Sequence, residues 1–229
     1  MAYTVVEAVQ IIRNVQAFLS RTDGRDKLAK FFQNYFRYLK HFSTVDESKI
    51  WKALQNSLSE FRSVIKFGKP LKNIIELNDM LVDSGGKGSL RIVHYIKCFS
   101  LLSDVGYKLG DNFEYLSHYK LLPCNEFRCE AWSKTFQWYT YAADVLVGLI
   151  NMREVYCIKF CQDKSDDNER RIDLRCVVGF IGDFADFLRV TPGFFSMYGV
   201  MKKHDGFSGA MGIVVGLCGC WRVWDEIAT

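Results

Sequence analysis

The sequence predicts an all-α, membrane-embedded helical protein, with amphipathic helices in its N-terminal part and one or two membrane spans in its C-terminal half. Three observations predict this. Only 3 prolines occur in 229 residues, so long helices are permitted almost everywhere. Apolar residues recur at alternating intervals of three and four along most of the chain, which is the helical period. No charged residue lies between Asp205 and Arg222. Mean hydropathy, −0.03, is too low for a multi-span transporter and high for a cytosolic enzyme, as expected when one or two spans are averaged with amphipathic remainder.

The elements follow in order. From Tyr3 to Ser20, Val5, Val9, Ile12 and Leu19 share one helical face, interrupted by Gln16. Arg13 breaks the apolar run, so this stretch does not read as a signal peptide. Thr22-Asp23-Gly24 breaks the helix, with Asp23 expected to cap the next one and Asp26 in its first turn. That helix carries the stripe Leu28, Phe32, Tyr35, Leu39 and Phe42, with Arg25, Lys27, Lys30, Arg37 and Lys40 on the remaining surface. After a polar turn, Trp51, Leu54, Leu58, Phe61 and Ile65 keep the same spacing, flanked by Lys52, Arg62 and Lys66 and followed by Lys69 and Lys72. A basic amphipathic helix with Trp and Phe on its apolar face suits a membrane surface. Ordinary packing in a helix bundle would produce the same stripe. Gly68-Lys69-Pro70 ends this helix, and Leu71, Ile74 and Leu81 begin another.

Residues 83–89 read as a glycine-rich linker. Gly86-Lys87-Gly88-Ser89 lacks the Gly-Lys-Ser/Thr order of a phosphate loop, and no strand precedes it, which excludes nucleotide binding there. Residues 90–122 are helical but carry Arg91, Lys97, Asp104, Lys108, Asp111 and Glu114, too polar to cross a bilayer comfortably. Pro123 ends that segment. Residues 132–152 are more apolar, with Trp132, Phe136, Trp138, Tyr139 and Tyr141 clustered ahead of Val145 to Ile150. Counted from Ala131 to Met152, about 22 residues span roughly 33 Å at about 1.5 Å each, so this is the weaker of two span candidates, and Asp144 within it would need a polar partner or an oligomeric interface. Residues 162–171 form a charged connector. Leu174 to Leu188 is amphipathic; its Asp183 and Asp186 have no histidine cluster or third carboxylate beside them, so they read as a polar helix face. Thr191-Pro192-Gly193 is expected to form a turn.

The stronger span candidate is residues 206–224, about 28 Å as a helix and close to the hydrocarbon thickness. Ser208, Gly212, Gly216 and Cys220 recur every fourth residue, with Gly209 and Gly219 beside that line. In water so much glycine disfavours a helix, whereas in a bilayer small residues at this spacing let helices approach closely. Trp221, Trp224 and Arg222 suit one interface, and Lys202, Lys203 and His204 the other. A soluble core helix is the alternative. The layout divides the chain into an amphipathic region, residues 1–89, and a helical membrane region, residues 90–229.

Several function classes are excluded. The net charge of +4 is small for nucleic-acid binding, and its excess is confined to the first 80 residues, which hold 13 Lys/Arg against 8 Asp/Glu. That distribution suits an anionic membrane surface. The 8 cysteines include no CxxC pair, and His41, His94, His118 and His204 have no catalytic or metal-ligand spacing. No enzyme activity, cofactor or metal is expected.

In combination, Thr22-Asp23-Gly24-Arg25-Asp26-Lys27-Leu28, Phe61-Arg62 leading to Phe67-Gly68-Lys69-Pro70, and Gly106-Tyr107 through Asp111-Asn112 to Tyr115-Leu116 resemble blocks of the peroxin-11 family. Asp183 ahead of Pro192 and the glycine-rich C-terminal span complete the likeness, which covers nearly the whole chain. Phe67 stands where the family pattern has leucine. The aromatic, charged-loop and cysteine details look closest to the glycosomal branch of kinetoplastids. The resemblance implies an integral peroxisomal or glycosomal membrane protein with cytosolic termini. It also implies that the chain acts in organelle elongation, division and proliferation through amphipathic-helix insertion and self-association.

On this reading Trp51, Leu54, Leu58, Phe61 and Ile65 wedge into one leaflet of a phospholipid membrane. Arg62, Lys66, Lys69 and Lys72 hold anionic headgroups, at about 1 kcal/mol each near the surface. Ser208, Gly212, Gly216 and Cys220 form the contact face of a homo-oligomer. Two alternatives stay open: a pore or metabolite-permeability protein built on Asp144 and the glycine line, and a scaffold that recruits fission-machinery proteins.

Overall fold

The computed structural model describes residues 2–82, 90–161, 167–202 and 204–228. The linker at 83–89 and most of the charged connector expected at 162–171 lie outside them or outside the described side chains. The described residues form eight α-helices and no strand: α1 (Ala2–Ser20), α2 (Thr22–Phe42), α3 (Val45–Lys66), α4 (Lys69–Val82), α5 (Leu90–His118), α6 (Glu126–Cys161), α7 (Asp167–Met197) and α8 (Asp205–Ala228). This is the all-α class the sequence predicts.

Local chemistry sets several boundaries. At the α1–α2 corner, a Cβ on Gly24 would lie 2.2 Å from the carbonyl oxygen of Phe18, so only glycine permits that approach. Asp23 is not the cap. It lies inside the first turn of α2, where a carboxylate favours the positive end of the helix, and accepts a hydrogen bond from Lys69 Nζ at 2.8 Å. Thr44 caps α3 in a capping box: the Glu47 carboxylate accepts from both the Thr44 backbone N–H and its hydroxyl, at 3.2 and 2.9 Å.

The turn expected at residues 191–193 does not form. α7 runs through Pro192 as far as Met197 and stops ahead of Gly199, whose φ of 71° lies in the left-handed region that glycine occupies freely. Thr191 sits in the interrupted stretch and donates its hydroxyl to the Phe187 carbonyl, at 2.7 Å.

α2, α8, α7, α6 and α5 pack side by side in succession. α3 lies on α2 and touches α5, which closes the circuit. α4 lies on α5, and α1 crosses both α2 and α8. α2 and α8 run antiparallel, pinned at both ends: Arg21 to Glu226 at 3.1 Å and Lys40 to Asp205 at 2.8 Å. The sequence boundary near residue 89 therefore separates chain segments without separating packing, because α2 and α8 come from opposite sides of it.

Candidate membrane-contact surface and polar interior

Within this circuit the usual distribution of residues is reversed. Buried side chains include Asp26, Lys30, Gln33, Asn34, Lys66 and Asp186, while the buried apolar ones are mostly alanine and valine. Large apolar side chains point outward: Ile50, Leu54, Phe61 and Val64 on α3, Phe67 and Leu71 after it, and further ones on every other helix. Water as solvent favours the opposite arrangement. Lipid removes the penalty for an apolar exterior and requires polar groups to find partners inside.

Those partners are present. Asp186 on α7 accepts from Lys30 Nζ on α2 at 2.6 Å through one oxygen and from Arg189 at 2.8 to 2.9 Å through the other. Burial alone would raise the Asp186 carboxyl, but Lys30 and Arg189 outweigh it and hold the group at about 2. Asp26 on α2 accepts from Arg62 at 2.9 Å and from Lys69 at 3.2 Å. Burial opposes its ionised form there too, and the surrounding cations overcome it and keep the carboxyl well below its ordinary value. Lys66 reaches Asp111 at 3.5 Å and the Tyr107 hydroxyl at 3.2 Å. Asp144 accepts from the Ser100 hydroxyl, which supplies the polar partner its place on α6 demands.

The line of small residues on α8 faces α2. A Cβ at Gly209 would lie 2.8 Å from the Tyr38 backbone nitrogen, one at Gly212 2.2 Å from the Asn34 side chain, and one at Gly216 2.6 Å from the Phe31 Cα. Ser208 is buried in the same seam, and Cys220 lies at its margin, half-buried. These contacts bring two backbones close enough for van der Waals attraction along their length, the role small residues play between membrane helices. Among the described residues, α8 alone is long and apolar enough to cross a membrane. Residues 132–152 do not form a second such span: they lie within the longer α6, whose Ser133 and Thr140 are buried and whose Gln137 is half-buried.

A family model described as Peroxisomal biogenesis factor 11 (PEX11) matches residues 12–224. The chain belongs to this family. Membership makes it a peroxisomal membrane biogenesis factor with a role in peroxisome proliferation and division, in a family not known for enzymes. Searches of the curated proteins and of the solved structures gave no match.

In this PEX11 chain the residues expected to touch lipid divide into two groups. Leu54 and Phe61 are exposed, at 41% and 45%, whereas Leu58 and Ile65 are half-buried and Trp51 stacks on Phe36 with ring centroids 5.7 Å apart. Arg62, Lys66 and Lys69, expected at headgroups, are instead held by interior carboxylates, and of the four expected cations Lys72 is the exposed one. The physical reason is that α3 turns its polar face, Gln55, Arg62 and Lys66, towards the bundle and its apolar face outwards. The expected homo-oligomer face at Ser208, Gly212 and Gly216 is likewise occupied within the chain, by α2.

Sequence reading missed the interior. Its signal was the spacing of polar residues: Asp26, Lys30, Gln33 and Arg37 on α2, and Asp104, Lys108 and Asp111 on α5, fall on one helical face just as regularly as the apolar stripes.

The Glu114 carboxyl titrates near neutrality. Burial, with Asp111 and Glu130 nearby, pushes the Glu114 carboxyl up to about 7 from an ordinary 4.5. The native chain then keeps a proton that the unfolded chain releases, so stability falls as pH rises from about 4.5 to 7 and levels off above that. Glu114→Gln is expected to flatten this slope and to raise stability at pH 8 by on the order of 1 kcal/mol, discounted for partial exposure. Thermal melts of the detergent-solubilised protein across that pH range measure it; an unchanged slope would place the titration elsewhere.

Proposed function

We propose that this protein is an integral protein of the peroxisomal membrane that elongates the organelle before division, by seating the outward apolar face of α3 and the start of α4 in one leaflet. The observation that carries this reading is the reversed distribution itself, an apolar exterior around a polar, internally paired interior. α8 is the anchor of the bundle, and its length and composition suit a bilayer crossing. Because α2 lies along it, α2 shares its depth, with Asp26, Lys30 and Arg37 turned to the interior rather than to lipid. Ile50, Leu54, Phe61 and Val64 follow one another four, seven and three residues apart on a single face of α3, and insertion of that face on one side of the bilayer expands that leaflet and favours curvature. Cytosolic termini, self-association through surfaces other than the α2–α8 seam, and the glycosomal subtype belong to the same proposal.

The test uses the full-length chain reconstituted with anionic vesicles. Leu54→Glu with Phe61→Glu places charge on exposed positions, so helix content should be unchanged while vesicle tubulation falls several-fold. Tubulation equal to that of the unmodified protein would sink the wedge mechanism. Release of the protein from isolated organelles by alkaline carbonate would sink the integral reading.

A second reading, a permeability function, draws on a cavity of about 540 Å³ whose lining includes Lys97, Asp144, Arg175, Asp183 and Arg222. Conductance in planar bilayers that disappears in Asp144→Leu would favour it over the wedge.

A further inference from the structure

A second cavity, of about 230 Å³, lies inside the circuit of helices and is bounded by α2, α3, α5, α6 and α7. Six cationic side chains line it: Lys30 and Arg37 from α2, Arg62 and Lys66 from α3, Lys134 from α6 and Arg189 from α7. Their counter-ions are fewer. Asp186 serves both Lys30 and Arg189, Asp26 serves Arg62 while also holding Lys69, Asp111 faces Lys66, and Glu130 pairs with Lys134. Four carboxylates thus face six cationic side chains, a surplus of two by formal charge, while burial draws the Lys30 ammonium down to about 7 against the pull of Asp186. Glu114, the remaining acidic group on the wall, is half protonated near pH 7.

Arg37 is the sharpest sign of a missing partner. Among the described residues it makes no ion pair and no hydrogen bond, although its guanidinium faces the cavity beside Arg62 and Arg189. Burial, with Arg189 next to it, lowers that guanidinium to about 10 against the opposing pull of the Asp205 carboxylate, which is shared with Lys40. This half-buried guanidinium, with five donors and no hydrogen-bonded acceptor, is free to take one up from a molecule in the cavity. The neighbouring hydroxyls of Ser59, Ser63 and Ser133 and the amide of Gln137 add neutral donors around the same space.

We propose that this cavity binds a phosphate-type dianion, with Arg37, Arg62 and Arg189 as its principal donors. A double negative charge matches the surplus. Planar guanidinium forks suit the oxygens of a phosphate better than a single ammonium does, because each can donate two parallel hydrogen bonds. The volume is several times the roughly 30 Å³ that one water occupies in the liquid, which leaves room for the phosphate group and a short organic body. Carboxylates on the wall, Asp111 and Glu114, would exclude larger polyanions from that side. The site goes beyond the membrane-bending role and does not depend on it, since it lies in the interior and not on the lipid-facing surface.

The same headgroup chemistry is found on soluble phosphomonoesters and on lipids such as phosphatidic acid, and the experiment separates them. The full-length protein in neutral detergent micelles is titrated calorimetrically with inorganic phosphate, with glycerol phosphate, and with short-chain phosphatidic acid, each against sodium chloride at matched ionic strength. Saturable binding of either soluble compound assigns a soluble ligand; binding of phosphatidic acid alone assigns a lipid headgroup. In both cases Arg37→Gln should weaken binding at least tenfold while raising the thermal stability of the unliganded protein, because it removes one charge of the cationic surplus. Arg37→Lys should fall between the two. If none of the three probes binds beyond the chloride control, or if Arg37→Gln binds them as tightly as the unmodified chain, the site is overturned.

Discussion

Replacing Gly216 by leucine should detach α8 from α2. A Cβ alone at this position lies 2.6 Å from the Phe31 Cα, and backbone cannot swing aside as a flexible side chain does. Overpacking of a tight interface typically costs about 1 to 3 kcal/mol, and here the intruding group meets main chain, so the upper end or beyond is expected for leucine and the lower end for alanine. Gly219→Ala meets only the aliphatic stem of Lys27 and should be milder. Gly193→Ala is the control: nothing lies within 4 Å of its Cβ, and inside a helix alanine is favoured over glycine by up to about 1 kcal/mol. Thermal melts and protease accessibility of α2 in detergent distinguish the outcomes. If Gly216→Leu left α2 protected and the melt unchanged, the antiparallel α2–α8 seam would be wrong, and the small-residue line would be free to serve a second copy of the chain.

The other large effect is expected at Asp186. Both Lys30 and Arg189 depend on its carboxylate, and all three groups are at most 15% exposed in their side chains. Asp186→Leu leaves two cations in the interior against no counter-charge and should destabilise the bundle by about 3 to 5 kcal/mol, the range for breaking a buried pair from one side. The triple change Lys30→Met, Asp186→Leu and Arg189→Met removes the unpaired charges with the carboxylate and should recover most of that loss. A pH titration provides an independent reading. Because the folded value, about 2, lies below the ordinary 3.8, the stabilisation is fully present above about pH 4 and is lost as pH falls towards 2, with a size on the order of 2 kcal/mol. A triple variant no more stable than Asp186→Leu would show that Asp186 contributes through something other than these two cations.

Much of this architecture was legible in the residues. Three-and-four spacing marked the helices, and the Gly68-Lys69-Pro70 break set the end of α3. The absence of charge between Asp205 and Arg222 marked α8 as the apolar helix. Local signals succeeded where the physics was local, as at a glycine-proline break or a charge-free run. They failed where a distant contact decided the outcome. Pro192 reads as a helix end, yet α7 continues through it, because Trp138 of α6 stacks on Phe194, at 4.9 Å between ring centroids, and holds the last turns in place. Residues 132–152 pass for a span when apolar residues are counted, yet within α6 they present polar side chains to neighbours on two sides.

The sequence by itself determined which helices form, that most have one apolar and one polar face, and that one helix is apolar with small residues in a line. A hydrophobic stripe records that two faces differ; it does not record which of them the protein turns inward, since that depends on what the other helices present and on the solvent outside. Only the tertiary structure decided this. It placed Asp26, Arg62 and Asp186 at the centre and Leu54 and Phe61 at the surface, and it gave the glycine line on α8 to α2 instead of to another molecule. The physical reason lies in pairing. Lys30 with Asp186, at 2.6 Å, and Arg62 with Asp26, at 2.9 Å, are tolerated in the interior because each pair joins two helices, an arrangement that exists only once the helices have come together.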